Sequence, residues 1–387
     1  MLRISIWTHG GIGGGLFSQG QPAIQLLVGK LSSDFDIDVY SMESPDEDFN
    51  PSGYRIISLH WKTRARWLRW SYLVWRFAIE HIRRRYRVLY AFWGYPSGCL
   101  AVMLGKILGI PSVVHLQGGD AVAMSSLNYG VFISPFRARV CRFLYARSSA
   151  LVALSKFQAA HLRRNGVLRS PLIVPFGPDL TQFSFEKERF RHPVVRFLHV
   201  GNQTPVKGQE AMLKVFASVL TRIPATLQII GDDFYDGRLK SLVGSLGIES
   251  FVTFLGPQPH TLMPEYYHSA DILLHTSRYE GQGLVFAEAA ACGTLIAGTP
   301  VGMLSDMGEE CAVLAREDDL DSLVSKIVEL VRSTDQWQKL QWKARQWVEM
   351  RDFNYSSKKI SAILTEMSCA SLKRSGMPES NPDLSQT

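Results

Sequence analysis

The feature that most constrains this chain is an alternation of short apolar runs with helical segments, which occurs twice and is interrupted once. Residues 2–7, 37–41, 88–92, 111–116 and 150–154 are apolar runs predicted as strands, with predicted helices at 22–31 and near 98–108. Strands that are apolar along their whole length need cover on both faces, which in a strand–helix alternation means a parallel, doubly wound sheet. Residues 175–193, rich in Pro, Gly, Phe and charge, break the pattern. It restarts with predicted strands at 195–200, 226–230, 252–255, 272–275 and 294–297, a helix at 210–220, and a loop then a helix over 281–291. A length of 387 residues favours two domains, and 46% hydrophobic residues suffice for two cores. The expected fold class is therefore α/β: one Rossmann-like domain over 1–180 and a second over 190–350, facing a cleft. Residues 335–367 are expected to be helical, and the polar stretch 372–387 a disordered tail.

Composition narrows the function classes. The five cysteines are scattered, odd in number and form no CxxC pair, so neither a disulfide framework nor a structural zinc site is expected. No apolar run approaches the roughly 20 residues that span a bilayer, and the start does not read as a signal peptide, so a cytoplasmic location is expected. The net charge of +7 points to anionic partners. No helix-turn-helix, RRM or KH pattern accompanies it, so nucleic acid is not expected as a partner.

Ligands of open parallel sheets bind outside the carboxyl ends of the strands, and three motifs stand at such ends. The run GGIGGG at 10–15 follows the first strand; Gly13, Gly14 and Gly15 let backbone amides approach a phosphate or sugar, or simply make a tight turn. Its spacing fails the dinucleotide pattern G-x-G-x-x-G, because Leu16 takes the last glycine's place. In HVGNQTPVKG, Lys207 precedes a predicted helix start, and a cation beside a helix N-terminus suits a diphosphate. Alone, such a lysine reads as a solvated surface charge. In YEGQGLVFAEAA, Glu280 and Glu288 flank a glycine loop and the first turns of a helix. Amides at Gly283, Leu284 and Val285 can cradle phosphate, Glu288 can accept from two vicinal hydroxyls, and Glu280 can hold the transferred sugar. An idle carboxylate among Phe286, Ala287, Ala289 and Ala290 is costly, which argues for a role for Glu288.

Taken in order, GGIGGG, VPFGPDLTQF, HVGNQTPVKG and YEGQGLVFAEAAACGT resemble the retaining GT-B glycosyltransferases of family 4, over nearly all of the chain. The resemblance implies a GT-B fold, a nucleotide-sugar donor (UDP-sugar by family habit), no required metal or other cofactor, and retention at the anomeric carbon. It places Lys207 on the donor diphosphate, Glu288 on the ribose and Glu280 on the donor sugar, and implies a helix near 350–370 packing back on the first domain. The acceptor it implies is a saccharide or a lipid-linked sugar. Two positions depart from the family pattern. Asn202 stands where an arginine is usual, and Gln117 stands where a histidine is usual, leaving Gln117, His115 or His9 to supply the hydrogen bond, although a lone histidine in a strand, as His115 is, is more often a core residue. A GT-B nucleotide-sugar epimerase and a catalytically weak GT-B binding protein are the alternatives.

Residues 60–87 read as a basic, aromatic helix with Glu80 as its lone acid. Leu68, Tyr72, Trp75, Ile79, Ile82 and Tyr86 lie on one helical stripe, expected to face the core. Trp70, Val74 and Phe77 form a second stripe, flanked by arginines, which suits either a solvated edge or an anionic membrane surface. A peripheral position on the inner face of the cytoplasmic membrane is the corresponding expectation.

Overall fold

The computed structural model describes residues 1–14, 20–59, 65–185 and 193–374. Two parallel sheets organise it. The first has seven strands in the order β3-β2-β1-β4-β5-β6-β7. These are β1 (Leu2–Thr8), β2 (Phe35–Ser41), β3 (Tyr54–Ile57), β4 (Val88–Phe92), β5 (Ser112–His115), β6 (Ala150–Ala153) and β7 (Leu172–Ile173). Helices α1 (Pro22–Leu31), α2 (Arg66–Arg84), α3 (Cys99–Leu108), α4 (Pro135–Tyr145) and α5 (Lys156–Arg164) connect them. Side chains alternate faces along each strand. Val88, Tyr90 and Phe92 therefore pack with Ile24 and Val28 of α1, while Leu89 and Ala91 pack with Leu73 and Phe77 of α2.

The second sheet has six strands, β10-β9-β8-β11-β12-β13. They are β8 (Val195–Val200), β9 (Ala225–Ile230), β10 (Val252–Gly256), β11 (Ile272–His275), β12 (Leu295–Gly298) and β13 (Val313–Leu314). Helices α6 (Gln209–Leu220), α7 (Arg238–Leu246) and α11 (Leu320–Arg332) cover one face. Helices α8 (Met263–Ser269), α9 (Leu284–Ala291), α10 (Gly302–Met307) and α12 (Thr334–Glu349) cover the other. Both strand orders reverse direction beside the first strand of the sheet, which opens a crevice at the carboxyl ends.

The chain then returns to the first domain. Helix α13 (Phe353–Arg374) buries Ile360 and Leu364 in the first-domain core. The return is tight at Gly177, where a Cβ would lie 2.1 Å from the Asp352 carbonyl carbon, so only glycine fits. Residues 372–374 are the last turn of α13, so the helix runs into the stretch expected to be tail; 375–387 lie outside the described residues.

The expected core stripe of the basic helix is corrected. Tyr86 is buried and Tyr72 packs against the core as expected, but Leu68, Trp75 and Ile82 are exposed, whereas Leu73, Phe77 and Glu80 are buried and Trp70 packs against the core. Residues 60–64 lie outside the described residues. Charge decided between the two stripes: inward, Glu80 meets Arg3 at 3.6 Å and Arg55 at 3.4 Å. A buried carboxylate needs such partners.

Candidate active site

A cavity of about 460 Å³ lies between the domains at the carboxyl ends of both sheets. Its second-domain wall includes Gly201 and Asn202 after β8, His260 after β10, and the stretch from Glu280 to Val285 with Glu288. Its first-domain wall includes Gly20 to Ala23 at the start of α1, Gln117, Gly118 and Tyr129.

The loop after β11 carries a dense polar cluster. Oε1 of Glu280 accepts from Lys207 Nζ at 2.7 Å, Ser277 Oγ at 2.8 Å and His275 Nε2 at 3.0 Å. Burial by itself would raise the Glu280 pKa, but the Lys207 charge and the His275 hydrogen bond outweigh it and hold the carboxyl well below its usual range. Burial pushes the His275 pKa down, so its ring is neutral and donates to the carboxylate. Beneath it His199 stacks on His275 at 4.8 Å and is likewise pushed down, to about 3, by burial.

Glu288 lies one turn inside α9 and is buried. Oε2 accepts from Tyr267 OH at 2.8 Å, and Oε1 pairs with His260 Nε2 at 2.9 Å. These two partners resolve the cost of a carboxylate in an apolar helix. At the head of α9, Gly283 takes φ +78°, where a Cβ would clash with the Phe286 ring. The first amides of a helix have no intrahelical acceptor, so the backbone from Gly283 to Val285 presents donors at the cavity wall.

The other expected site residues divide. Asn202 lines the cavity, and its Oδ1 accepts from the Asp232 amide at 3.2 Å. Gln117 lines it too, with Nε2 donating to the His115 carbonyl at 3.2 Å. Arg278 does not replace the missing arginine: its Nε pairs with Glu317 at 2.6 Å. His115 is corrected. It is buried among Tyr90, Phe92 and Phe176, its Nδ1 is 2.7 Å from Tyr90 OH, and burial pushes its pKa down to about 3. It is a core residue because its strand position points into the sheet packing, not out of the strand end. Gly13 and Gly14 are corrected as well. They do not line the cavity; Gly13 packs against Phe49, and the wall is made instead by Gly20 to Ala23. Gly15 lies outside the described residues.

His260, Tyr267 and Gln21 were not anticipated. His260 follows a predicted strand, so the strand-end rule alone would have flagged it. Tyr267 lies inside a helix far from Glu288 in sequence, and no local signal pairs them.

Residues 24–177 match the family model described as "Glycosyl transferase 4-like domain", and residues 181–347 match "Glycosyl transferases group 1". The chain belongs to the family 4 glycosyltransferases. This family 4 chain is 25% identical over 285 residues to the N-acetyl-alpha-D-glucosaminyl L-malate synthase of Bacillus anthracis, covering 69% of this chain and 71% of the relative. It is 29% identical to the D-inositol 3-phosphate glycosyltransferase of Corynebacterium jeikeium, where the match covers 54% of this chain and spans only 55% of the relative. Among solved structures it resembles the sucrose-phosphate synthase of Thermosynechococcus elongatus, with TM-score 0.80, 20% identity, and 96% and 100% of the two chains covered. It also resembles Anabaena HepE in complex with UDP and glucose, with TM-score 0.72, 17% identity, and 95% and 100% covered. The two domains have the GT-B arrangement of these neighbours. The protein is a glycosyltransferase.

Proposed function

We propose that the chain moves a sugar from a UDP-sugar to a saccharide or lipid-linked acceptor, with retention of anomeric configuration and without a resident metal. One observation carries the reading: Glu280, Glu288 and the amide-presenting start of α9 converge on a single interdomain cavity. The ribose hydroxyls bond the Glu288 carboxylate, which keeps acceptor capacity beyond Tyr267 and His260. The diphosphate lies on the amides of Gly283 to Val285. Lys207, whose Nζ already stands beside Glu280, meets the charge that grows on the leaving phosphate. Glu280, held ionised, takes hydroxyls of the donor sugar. A neighbour of the same fold was solved with UDP-glucose, which supports the choice of base.

Calorimetric titration with UDP and GDP tests the donor site. UDP is expected to bind, and Lys207→Ala and Glu288→Ala are each expected to weaken it by roughly 1.5–3 kcal/mol, the size of a lost charged hydrogen bond. Thermal melts of the variants separate lost binding from lost folding. Binding of neither nucleotide by the wild-type protein would overturn the reading and favour a binding protein that has lost its donor, the outcome to which Asn202 and the outward Arg278 point.

A further inference from the structure

Helices α2, α3 and α4 lie on one face of the first sheet. Their strands are crossed in the same direction, and right-handed crossovers then place them on the same side. Shared cores agree: α2 and α3 contribute Phe77 and Ala101 to one core cluster, and α3 and α4 contribute Val102 and Cys141 to another. The outer sides of these helices are unusual. Trp67 and Trp75 of α2 are 66% and 57% exposed, Ile107 of α3 is 73% exposed, and Phe136 of α4 is 72% exposed. Ile82 and Phe143 continue the exposed set. Single exposed apolar residues are ordinary, but large ones spread over three neighbouring helices mark an interaction surface.

The charges on the same helices are one-sided. Arg66, Arg83 and Arg84 of α2, Lys106 of α3 and Arg139 of α4 are exposed. Just past α4, the Arg147 guanidinium stacks 3.6 Å from the Phe143 ring centroid. The sole acid within the three helices is Glu80, and it is buried against Arg3, Arg55 and Arg76. The solvent sides of α11 and α12 differ, since they carry Asp321, Glu329, Asp335 and Glu349 among their basic residues.

We propose that the outer faces of α2, α3 and α4 form one docking platform for an anionic lipid surface. Arginines with no acid beside them match a negative headgroup layer, and exposed Trp, Phe and Ile tips sink into the acyl boundary beneath it. These side chains stand on helix crests; a fluid interface accepts crests, whereas a peptide partner needs a groove. In a strand–helix unit the helix starts at the strand's carboxyl end. Trp67 and Phe136, in the first turns of α2 and α4, are therefore on the cleft side, and a docked molecule holds its cleft close to the lipid. The platform stands on the surface alone; its consequence, a lipid-borne acceptor, rests on the proposed function.

The test is co-sedimentation of the full chain with vesicles of phosphatidylglycerol and phosphatidylcholine, against pure phosphatidylcholine vesicles, at about 0.15 M salt. Binding to the anionic vesicles alone is expected. A Trp67→Ser/Trp75→Ser/Phe136→Ser variant should lose about tenfold or more of it, and Arg83→Glu/Arg84→Glu should lose it too. Both variants should keep the wild-type melting temperature and UDP affinity. Equal binding to both vesicle types, no binding, unchanged binding by the triple variant, or preference for a DNA duplex over vesicles would each overturn the proposal. Vesicle binding by a chain that fails to bind UDP would leave the platform standing and sink the donor assignment instead.

Discussion

Glu288 enters the cavity already held at both oxygens, by Tyr267 and His260. A carboxylate has about four acceptor positions, so the two ribose hydroxyls of the proposed donor would still find room. What the two partners supply is aim: they keep the carboxylate pointing across the cavity instead of swinging with the α9 side chain. His260 is itself braced, with its ring edge-on to Phe183 and its carbonyl accepting from Gln182 at 3.0 Å. His260→Ala is therefore expected to weaken UDP by about 1 kcal/mol, the net worth of one hydrogen bond, with little change in melting temperature. Tighter UDP binding by this variant would mean that His260 competes with the ribose and would reverse the assignment. Sequence reasoning reached Glu288 from the cost of its apolar flanks but could not reach these partners, 21 and 28 positions away.

At the scale of elements, the loop after β5 shows how a short turn is held at the cleft. Asp120 is fully enclosed, and its carboxylate accepts from the Gln117 amide at 2.9 Å and from the amides of Gly94 and Gly118. Burial raises its pKa to about 6, and those hydrogen bonds only partly offset this. The native state thus holds a proton that the unfolded chain has released between about pH 4 and 6, so this group's contribution to stability falls as pH rises through that window. The size is on the order of 2–3 kcal/mol. Melting temperatures measured from pH 4 to 7 should show that slope in the wild-type protein and a flatter one in Asp120→Asn. Identical slopes would show that Asp120 keeps its ordinary titration. Helix α2 carries a different lesson. Its two apolar stripes have equal standing in periodicity, and only the placement of Arg3 and Arg55 on the sheet selects which one turns inward.

Across the whole molecule, contacts between the domains gather on and near the loop after β11. Ser155 Oγ donates to the Gly281 carbonyl at 2.6 Å, and Gln282 bonds both the amide and the carbonyl of Phe176, at 2.7 and 2.5 Å. Asp306 of α10 accepts from the amides of Lys156 and Phe157, capping the first turn of α5 from the opposite domain. Tyr279 is buried between Tyr129 and His161 of the first domain and donates to the Gly118 carbonyl at 3.1 Å. These contacts tie the position of the Glu280 loop to the seating of the first domain. A Gln282→Ala/Asp306→Ala variant should destabilise the closed form by on the order of 2 kcal/mol, since buried backbone groups lose partners. X-ray scattering should report a larger radius of gyration, and sugar transfer should fall while UDP affinity, which the proposed function assigns to second-domain residues, changes little. An unchanged radius with unchanged transfer would show that these contacts do not govern closure.

Local periodicity determined a good deal of this protein. Apolar runs of strand length alternating with helices require two covered parallel sheets, and a Pro- and Gly-rich break sets where one ends and the next begins. The spacing of Glu280, Gly283 and Glu288 needs only a loop running into a helix, so these residues were legible before any packing was known. Tertiary structure alone decided the rest, because it rested on distance through space. His115 and the buried stripe of α2 depended on which sheet face received each residue. The first-domain wall of the cavity depended on how the loop before α1 folds back, with the Gln21 amide bonded to the Gly11 carbonyl at 2.9 Å. Lys207 beside Glu280, and Tyr267 and His260 beside Glu288, come from other segments, brought together only once the second domain is packed.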